Sequence, residues 1–134
     1  MADTLDQRGH QVRILLVDDD PVLLRMYGSR LAADGFDVLL AASGQQALAA
    51  AMRPLGLILL DVRMPGMNGL DVLRRLKSDP NATAVPVVML SNESSASAVA
   101  ACRSIGAVAW WNKSEMVPAE LSRRISELPG LGRL

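Results

Sequence analysis

Residues Val12–Leu24 read VRILLVDDDPVLL: a mostly aliphatic hexapeptide, three consecutive aspartates, and a proline that opens a helical pattern. The run Val12–Val17 lacks strict apolar–polar alternation, so it reads as a strand buried on both faces, the habit of parallel sheets. Asp20 is the expected helix N-cap and Pro21 the first helical residue. An aspartate oxygen can accept the orphan N–H groups of a first turn, and proline has no N–H there to waste. Leu24, Tyr27 and Leu31 then fall on one helical face, and Asp34-Gly35 ends the helix.

The same alternation continues outward. Further apolar runs occur at Asp37–Ala41 (DVLLA), Leu57–Leu60 (LILL), Val85–Leu90 (VPVVML) and Ala107–Trp111 (AVAWW). Between them the spacing is helical. Ser43 with Gln46 forms a capping-box pattern for a helix that stops before Pro54. Val72, Leu73 and Leu76 make the stripe of a third helix ending near Asp79-Pro80. An Ala-rich helix around Ser95–Ser104 stops at Gly106, and a fifth starts at Pro118, burying Leu121, Ile125 and Leu128 with Glu120 and Arg124 as an i,i+4 pair. Five strand–helix repeats imply an α/β fold with a parallel sheet covered on both faces.

Composition bounds the possibilities. The 134 residues make room for one domain, and with 50% apolar content a core can form; at 3% aromatic it must be built from aliphatic side chains. Fourteen basic and fourteen acidic residues cancel, which argues against a nucleic-acid or anionic-membrane binder driven by bulk charge. Cys102 is the only cysteine and is expected to be a small packing residue in a reducing, cytoplasmic setting. No membrane-length apolar run and no signal peptide are evident. We expect a flexible tail at residues 1–11, holding His10, a folded domain at 12–128, and a short tail at 129–134.

Open parallel sheets bind ligands beyond the carboxyl ends of their strands. The first strand delivers Asp18, Asp19 and Asp20 there, the third Asp61, the fourth Ser91 and the fifth Lys113; the second, ending in Ala41-Ala42, delivers nothing reactive. Taken singly, each is ordinary: an Asp after a strand is usually a helix cap, and a Ser or Lys there is usually solvated. Their convergence is the signal. Two carboxylates about 4 Å apart repel by about 4 kcal/mol at an effective dielectric near 20, so a cation must compensate. Lys113 supplies one charge, and oxygen-only ligands favour Mg²⁺ for the rest. Asp61 is then a candidate carboxylate nucleophile for a phosphoryl group, aligned and neutralised by Mg²⁺ and Lys113, with Ser91 bonding the phosphoryl oxygen.

Asp18-Asp19, the run Asp61-Val-Arg-Met64-Pro65-Gly-Met-Asn-Gly69, Ser91 after VVML and Lys113 after Ala-Trp-Trp-Asn together resemble the receiver domain of bacterial two-component response regulators. The resemblance covers about Val12 to Leu128 and implies a flavodoxin-like (βα)5 fold with strand order 2-1-3-4-5. It implies that Asp61 accepts a phosphoryl group from a sensor histidine kinase or histidine phosphotransfer protein. It implies Mg²⁺ ligated by Asp19, by Asp18 mainly through water, by Asp61, and by the Arg63 carbonyl. Ser91 takes the place of the family's Thr/Ser, and Trp110 that of its switch aromatic. Such a domain is a signalling phosphoacceptor, not a conventional enzyme, and its output is a remodelled surface on helix four, strand five and helix five, or onward relay of the phosphoryl group.

The chain departs from the family at Ser114, where proline usually follows the lysine, and a trans Lys113–Ser114 bond is expected. Asn92 replaces a usual Ala or Gly and is expected to narrow the phosphoryl site. Arg63 and Glu93 have opposite charge and are expected to pair across the pocket mouth. Arg123-Arg124 reads as a solvated helix face. Two alternatives compete: a small phosphatase of the haloacid-dehalogenase type with Asp18 as nucleophile in Asp18-x-Asp20-x-Val22, and a degenerate receiver used only for docking.

Overall fold

The structure is a computed structural model that describes residues 5–6, 9–92, 95–129 and 131. Five strands, β1 (Arg13–Val17), β2 (Asp37–Ala41), β3 (Leu57–Asp61), β4 (Val87–Ser91) and β5 (Ala109–Asn112), alternate with helices α1 (Pro21–Ala33), α2 (Gly44–Ala50), α3 (Gly69–Ser78), α4 (Ala96–Ile105) and α5 (Pro118–Ser126). All pairings are parallel, in the order β2-β1-β3-β4-β5. The fold expected from the strand–helix repeats is therefore present. β1 and β3 face opposite neighbours on either side of the point where the order reverses, and that is where a crevice opens.

Each central strand serves two cores, because successive side chains point to opposite faces. Ile14, Leu16, Leu57, Leu59, Val88 and Leu90 join Leu24, Tyr27 and Leu31 of α1 and Leu121 and Ile125 of α5. Leu15, Val17, Ile58, Leu60, Val87 and Met89 join Val72, Leu73 and Leu76 of α3 and Cys102 of α4. The double-sided burial explains why these strands show no alternation in sequence. The α1–α5 core also takes in Leu131, which is fully buried and lies beyond the 12–128 span expected for the folded domain.

The caps read from the sequence are formed. Asp20 Oδ1 accepts the N–H of Val22 at 2.9 Å and Ser43 Oγ that of Gln46 at 3.1 Å; Asn68, not read as a cap, does the same for the N–H of Asp71 at 2.9 Å. Three strand starts need correction: β1 begins at Arg13 and not Val12, and two others shift by two residues. β4 begins at Val87 and not Val85, since Pro86 has no N–H to donate and the Val85 N–H is taken by the Ala82 carbonyl at 3.0 Å. β5 begins at Ala109 and not Ala107, because the N–H groups of Gly106 and Ala107 both turn back to Cys102 and close α4. At their other ends β3, β4 and β5 run one residue further than expected, so Asp61 and Ser91 are the last residues of their strands.

Candidate functional site

Parallel pairing fixes the site residues in height. Val17 pairs with Leu60, Asp61 with Leu90, and Ser91 with Asn112. The residues that follow β1 and β5, and those that end β3 and β4, therefore arrive at one level. They line a single cavity of about 760 Å³ whose walls include Asp18, Asp19, Asp61, Arg63, Ser91 and Lys113. Asn92 and Ser114 line it as well. Oxygens of Asp18, Asp19 and Asp61 lie within 4.8 Å of one another, with Asp18 and Asp61 buried and Asp19 exposed.

The ammonium of Lys113 sits between the two buried acids, 2.5 Å from Asp18 Oδ2 and 3.0 Å from Asp61 Oδ1. Asp18 Oδ1 accepts the Asp20 N–H at 2.9 Å, which holds the carboxylate at the start of the turn into α1. Burial pushes the Asp61 carboxyl above its ordinary range; Lys113 opposes this, and the Asp18 charge adds to it. Burial works to lower the Lys113 pKa, but hydrogen bonds and charges from Asp18 and Asp61 outweigh it and hold the ammonium above its ordinary value.

Three carboxylates facing one ammonium leave negative charge uncompensated. Asp18 Oδ2 shows this locally: it is buried, shares with Asp61 the one Lys113 ammonium, and meets no further donor among the described residues. A buried oxygen in that position, flanked by two further carboxylates and no nitrogen or sulfur ligand, fits a hard divalent cation.

The loop from β3 into α3 owes its shape to glycine. Gly69 donates its N–H to the Val62 carbonyl at 2.8 Å, so closely that a Cβ there would collide with the Asp61 carbonyl oxygen. Gly66 adopts φ +77°, a left-handed turn in the same loop. The spacing Asp61…Gly69 is thus the length of one tight return that starts α3 beside Asp61.

Other expectations are placed as follows. The Lys113–Ser114 bond is trans, like every peptide bond described. Asp20, the second acid of the phosphatase motif, accepts the Val22 and Leu23 N–H groups as the α1 cap. Trp110 is half-buried on the α4 side of the sheet, packed against the α2–α4 core, whereas Trp111 lies on the other face with the Arg124 guanidinium 5.9 Å from its ring centroid. Cys102 is buried. Arg123 is exposed, as expected of a solvated face, whereas Arg124 is half-buried and bonded to Glu120 at 2.9 Å, the expected i,i+4 pair. Glu93 lies outside the described residues, and with it the expected pairing to Arg63. Tyr27, Asn112 and Met116 carry the loop around Lys113, a role that nothing in the local sequence signals.

A doubly wound α/β domain with three acids, a hydroxyl and a lysine at its switch point is the layout that the receiver-domain resemblance implies. The family model for the response regulator receiver domain matches residues 14–126, and the chain belongs to that family. It is 49% identical over 81 residues to the DNA-binding response regulator MtrA of Mycolicibacterium smegmatis, a match that covers 59% of this chain and 34% of that one. It is 46% identical over 80 residues to the response regulator PleD of Caulobacter vibrioides, covering 59% and 18%. The matches thus span about a third or less of these bacterial relatives. Among solved structures, the chemotaxis protein CheY4 of Vibrio cholerae superposes with a TM-score of 0.80 at 29% identity, covering 85% of this chain and 95% of that one. A CheY-like receiver domain from Methanospirillum hungatei also gives 0.80, at 27% identity, covering 87% and 91%. Among the described residues no helix is long and apolar enough to cross a membrane.

Proposed function

We propose that the chain is a phosphorylation-controlled receiver whose Asp61 takes a phosphoryl group from the phosphohistidine of a cytoplasmic sensor kinase or phosphotransfer protein. The observation that carries this reading is the placement of Lys113 between Asp18 and Asp61, with Asp19 beside them. An Asp61 carboxylate oxygen attacks phosphorus, the P–N bond breaks, and the leaving imidazole recovers its electron pair and a proton. The new bond is an acyl phosphate. Mg²⁺, held by Asp18, Asp19, Asp61 and the Arg63 carbonyl, would supply charge neutralisation at the phosphoryl oxygens.

The protein's own residues supply alignment. Lys113 exchanges part of its pairing with Asp61 for a phosphoryl oxygen, and the Ser91 hydroxyl, fixed at the end of β4, bonds another. The modification adds about −1.5 to −2 charges. Moving a two-state surface from 1:99 to 99:1 takes about 5.5 kcal/mol of differential stabilisation. Charge-assisted bonds to Lys113 and Ser91, with the partner's own contacts, are of that order. The surface read out is that of α4, β5 and α5, with Trp110 packed beside Cys102 of α4; relay of the phosphoryl group to a further histidine is the other output.

The test is to incubate the chain with Mg²⁺ and acetyl phosphate and locate the acyl phosphate by mass spectrometry after borohydride trapping. Label at Asp61, abolished in Asp61→Asn, supports the reading. Label at Asp18 would support the phosphatase instead, and no label would leave a docking module.

A further inference from the structure

We infer that Tyr27 and Asn112 are positioning residues for Lys113, fixing the Ser114–Met116 turn that follows it. This rests on the phosphoacceptor reading of the pocket and concerns how its cation is held there.

Lys113 reaches the two carboxylates through a flexible four-carbon stem, so the place of the ammonium depends on where the backbone starts that stem. The residue after it is Ser114, which imposes no ring constraint on the loop. Hydrogen bonds fill that role. On the β5 side, Asn112 Oδ1 accepts both the Ser114 N–H at 2.9 Å and the Ser114 hydroxyl at 2.8 Å, an Asx turn that closes over Lys113. On the other side, the Met116 N–H donates to the Lys113 carbonyl at 3.0 Å. Met116 is in turn held by Tyr27, whose hydroxyl donates to the Met116 carbonyl at 2.7 Å across 89 residues of sequence.

Tyr27 is not simply a core aromatic. Its ring packs in the α1–α5 core, where phenylalanine would serve as well, yet it carries a hydroxyl into that core. A buried phenol needs an acceptor, and the one it has belongs to the loop that leaves Lys113. Tyr27 also lines the acidic cavity and lies within electrostatic reach of both Lys113 and Asp18. The relay thus runs from α1, which begins at the acidic corner, through Met116 to the backbone of Lys113.

The chain has two lysines, Lys77 and Lys113, so lysine-selective ¹³C,¹⁵N labelling of the full chain gives one side-chain signal from each. Spectra and acetyl phosphate labelling rates are compared for wild type, Tyr27→Phe, Asn112→Ala, the double variant and Asn112→Asp. Tyr27→Phe keeps the ring and Asn112→Asp keeps the acceptor oxygen, so both retain a cooperative melt. The expected result is that the Lys113 signal moves toward that of free lysine in Tyr27→Phe and Asn112→Ala and furthest in the double variant. Asp61 labelling falls about tenfold in the double variant, and Asn112→Asp recovers most of the single-variant loss. Folded variants whose Lys113 signal is unmoved and whose labelling stays within about twofold of wild type overturn the inference. Should wild type itself take no label at Asp61, the phosphoacceptor reading fails, while the lysine signals still decide whether Tyr27 and Asn112 position Lys113.

Discussion

Lys113 Nζ stands 3.0 Å from Asp61 Oδ1, and the pair is nearly closed to solvent. The same ammonium also serves Asp18, so one cation balances two buried acids. Removing it leaves both uncompensated, a change that costs about 3–5 kcal/mol for a buried ion pair. Lys113→Ala is therefore expected to lose stability of that order in chelator near neutral pH. Millimolar Mg²⁺ should return part of it, since a ligand that binds only the folded state stabilises by mass action. Urea titrations of both proteins, with and without Mg²⁺, check this; equal Mg²⁺ gains in the two would count against a charge-balancing role for Lys113.

The raised pKa of Asp61 sets a pH dependence with a definite sign. Above the unfolded value of 3.8 the unfolded chain has released this proton while the folded chain still holds it. Folding then takes up a proton, so the Asp61 contribution falls as pH rises from 3.8 through the folded pKa. Lys113 has its window at the other end: its contribution is complete below 10.5 and is lost as pH rises through its elevated folded pKa. In metal-free buffer the difference in stability between wild type and Asp61→Asn should grow in favour of the variant as pH rises from 3.8 toward neutrality. Chemical denaturation across that range measures it, and a flat difference would contradict the burial of Asp61.

Much of this was legible in sequence because it is local. Continuous aliphatic runs such as Leu57–Leu60, caps such as Asp20-Pro21, and the Asp61…Gly69 motif that carries the resemblance each declare themselves within ten residues. The convergence of Asp18, Asp61, Ser91 and Lys113 follows from topology once the strands are parallel, since each sits at a carboxyl end. What was illegible is long-range and side-chain specific. Tyr27 reads only as an apolar-face residue of α1, and nothing near it announces a hydroxyl aimed at Met116. Asp34 reads as a helix terminator, yet its carboxylate joins Ser122 of α5 across 88 residues. The strand starts at Val87 and Ala109 were misplaced because β propensity does not register which N–H groups are already taken by the preceding turn.

That Asp34–Ser122 contact makes its own forecast. Asp34 Oδ2 accepts the Ser122 hydroxyl at 2.5 Å and the Arg30 Nε–H at 2.8 Å, tying the end of α1 to α5. The Ser122 bond, then Arg30, holds the Asp34 carboxyl below its ordinary value. A depressed acid contributes stability above its unfolded pKa of 3.8 and loses it as pH falls through the folded value. Ser122→Ala is expected to cost about 1 kcal/mol at neutral pH, and less in strong acid, where Asp34 is protonated in both states. Stability measured at both pH values decides it; a cost independent of pH would mean that the serine matters only for packing.

Gly69 and Gly66 separate two reasons for glycine within one loop. At Gly66 the backbone is left-handed but the space is open, so Gly66→Ala carries only the conformational cost, about 1–2 kcal/mol. At Gly69 the conformation is ordinary, but a Cβ meets the Asp61 carbonyl and the Val62 Cα, both backbone and unable to swing aside. Relief requires moving α3 away from β3 or shifting Asp61 itself. Overpacking of this kind costs about 1–3 kcal/mol, and displacing a reacting carboxylate by about 1 Å costs about a hundredfold in rate. The two variants are thus expected to be comparably destabilised by urea titration, while Asp61 labelling by acetyl phosphate falls steeply in Gly69→Ala and stays near wild type in Gly66→Ala. Equal labelling losses in both would show that loop flexibility, and not the placement of Asp61 by Gly69, governs the site.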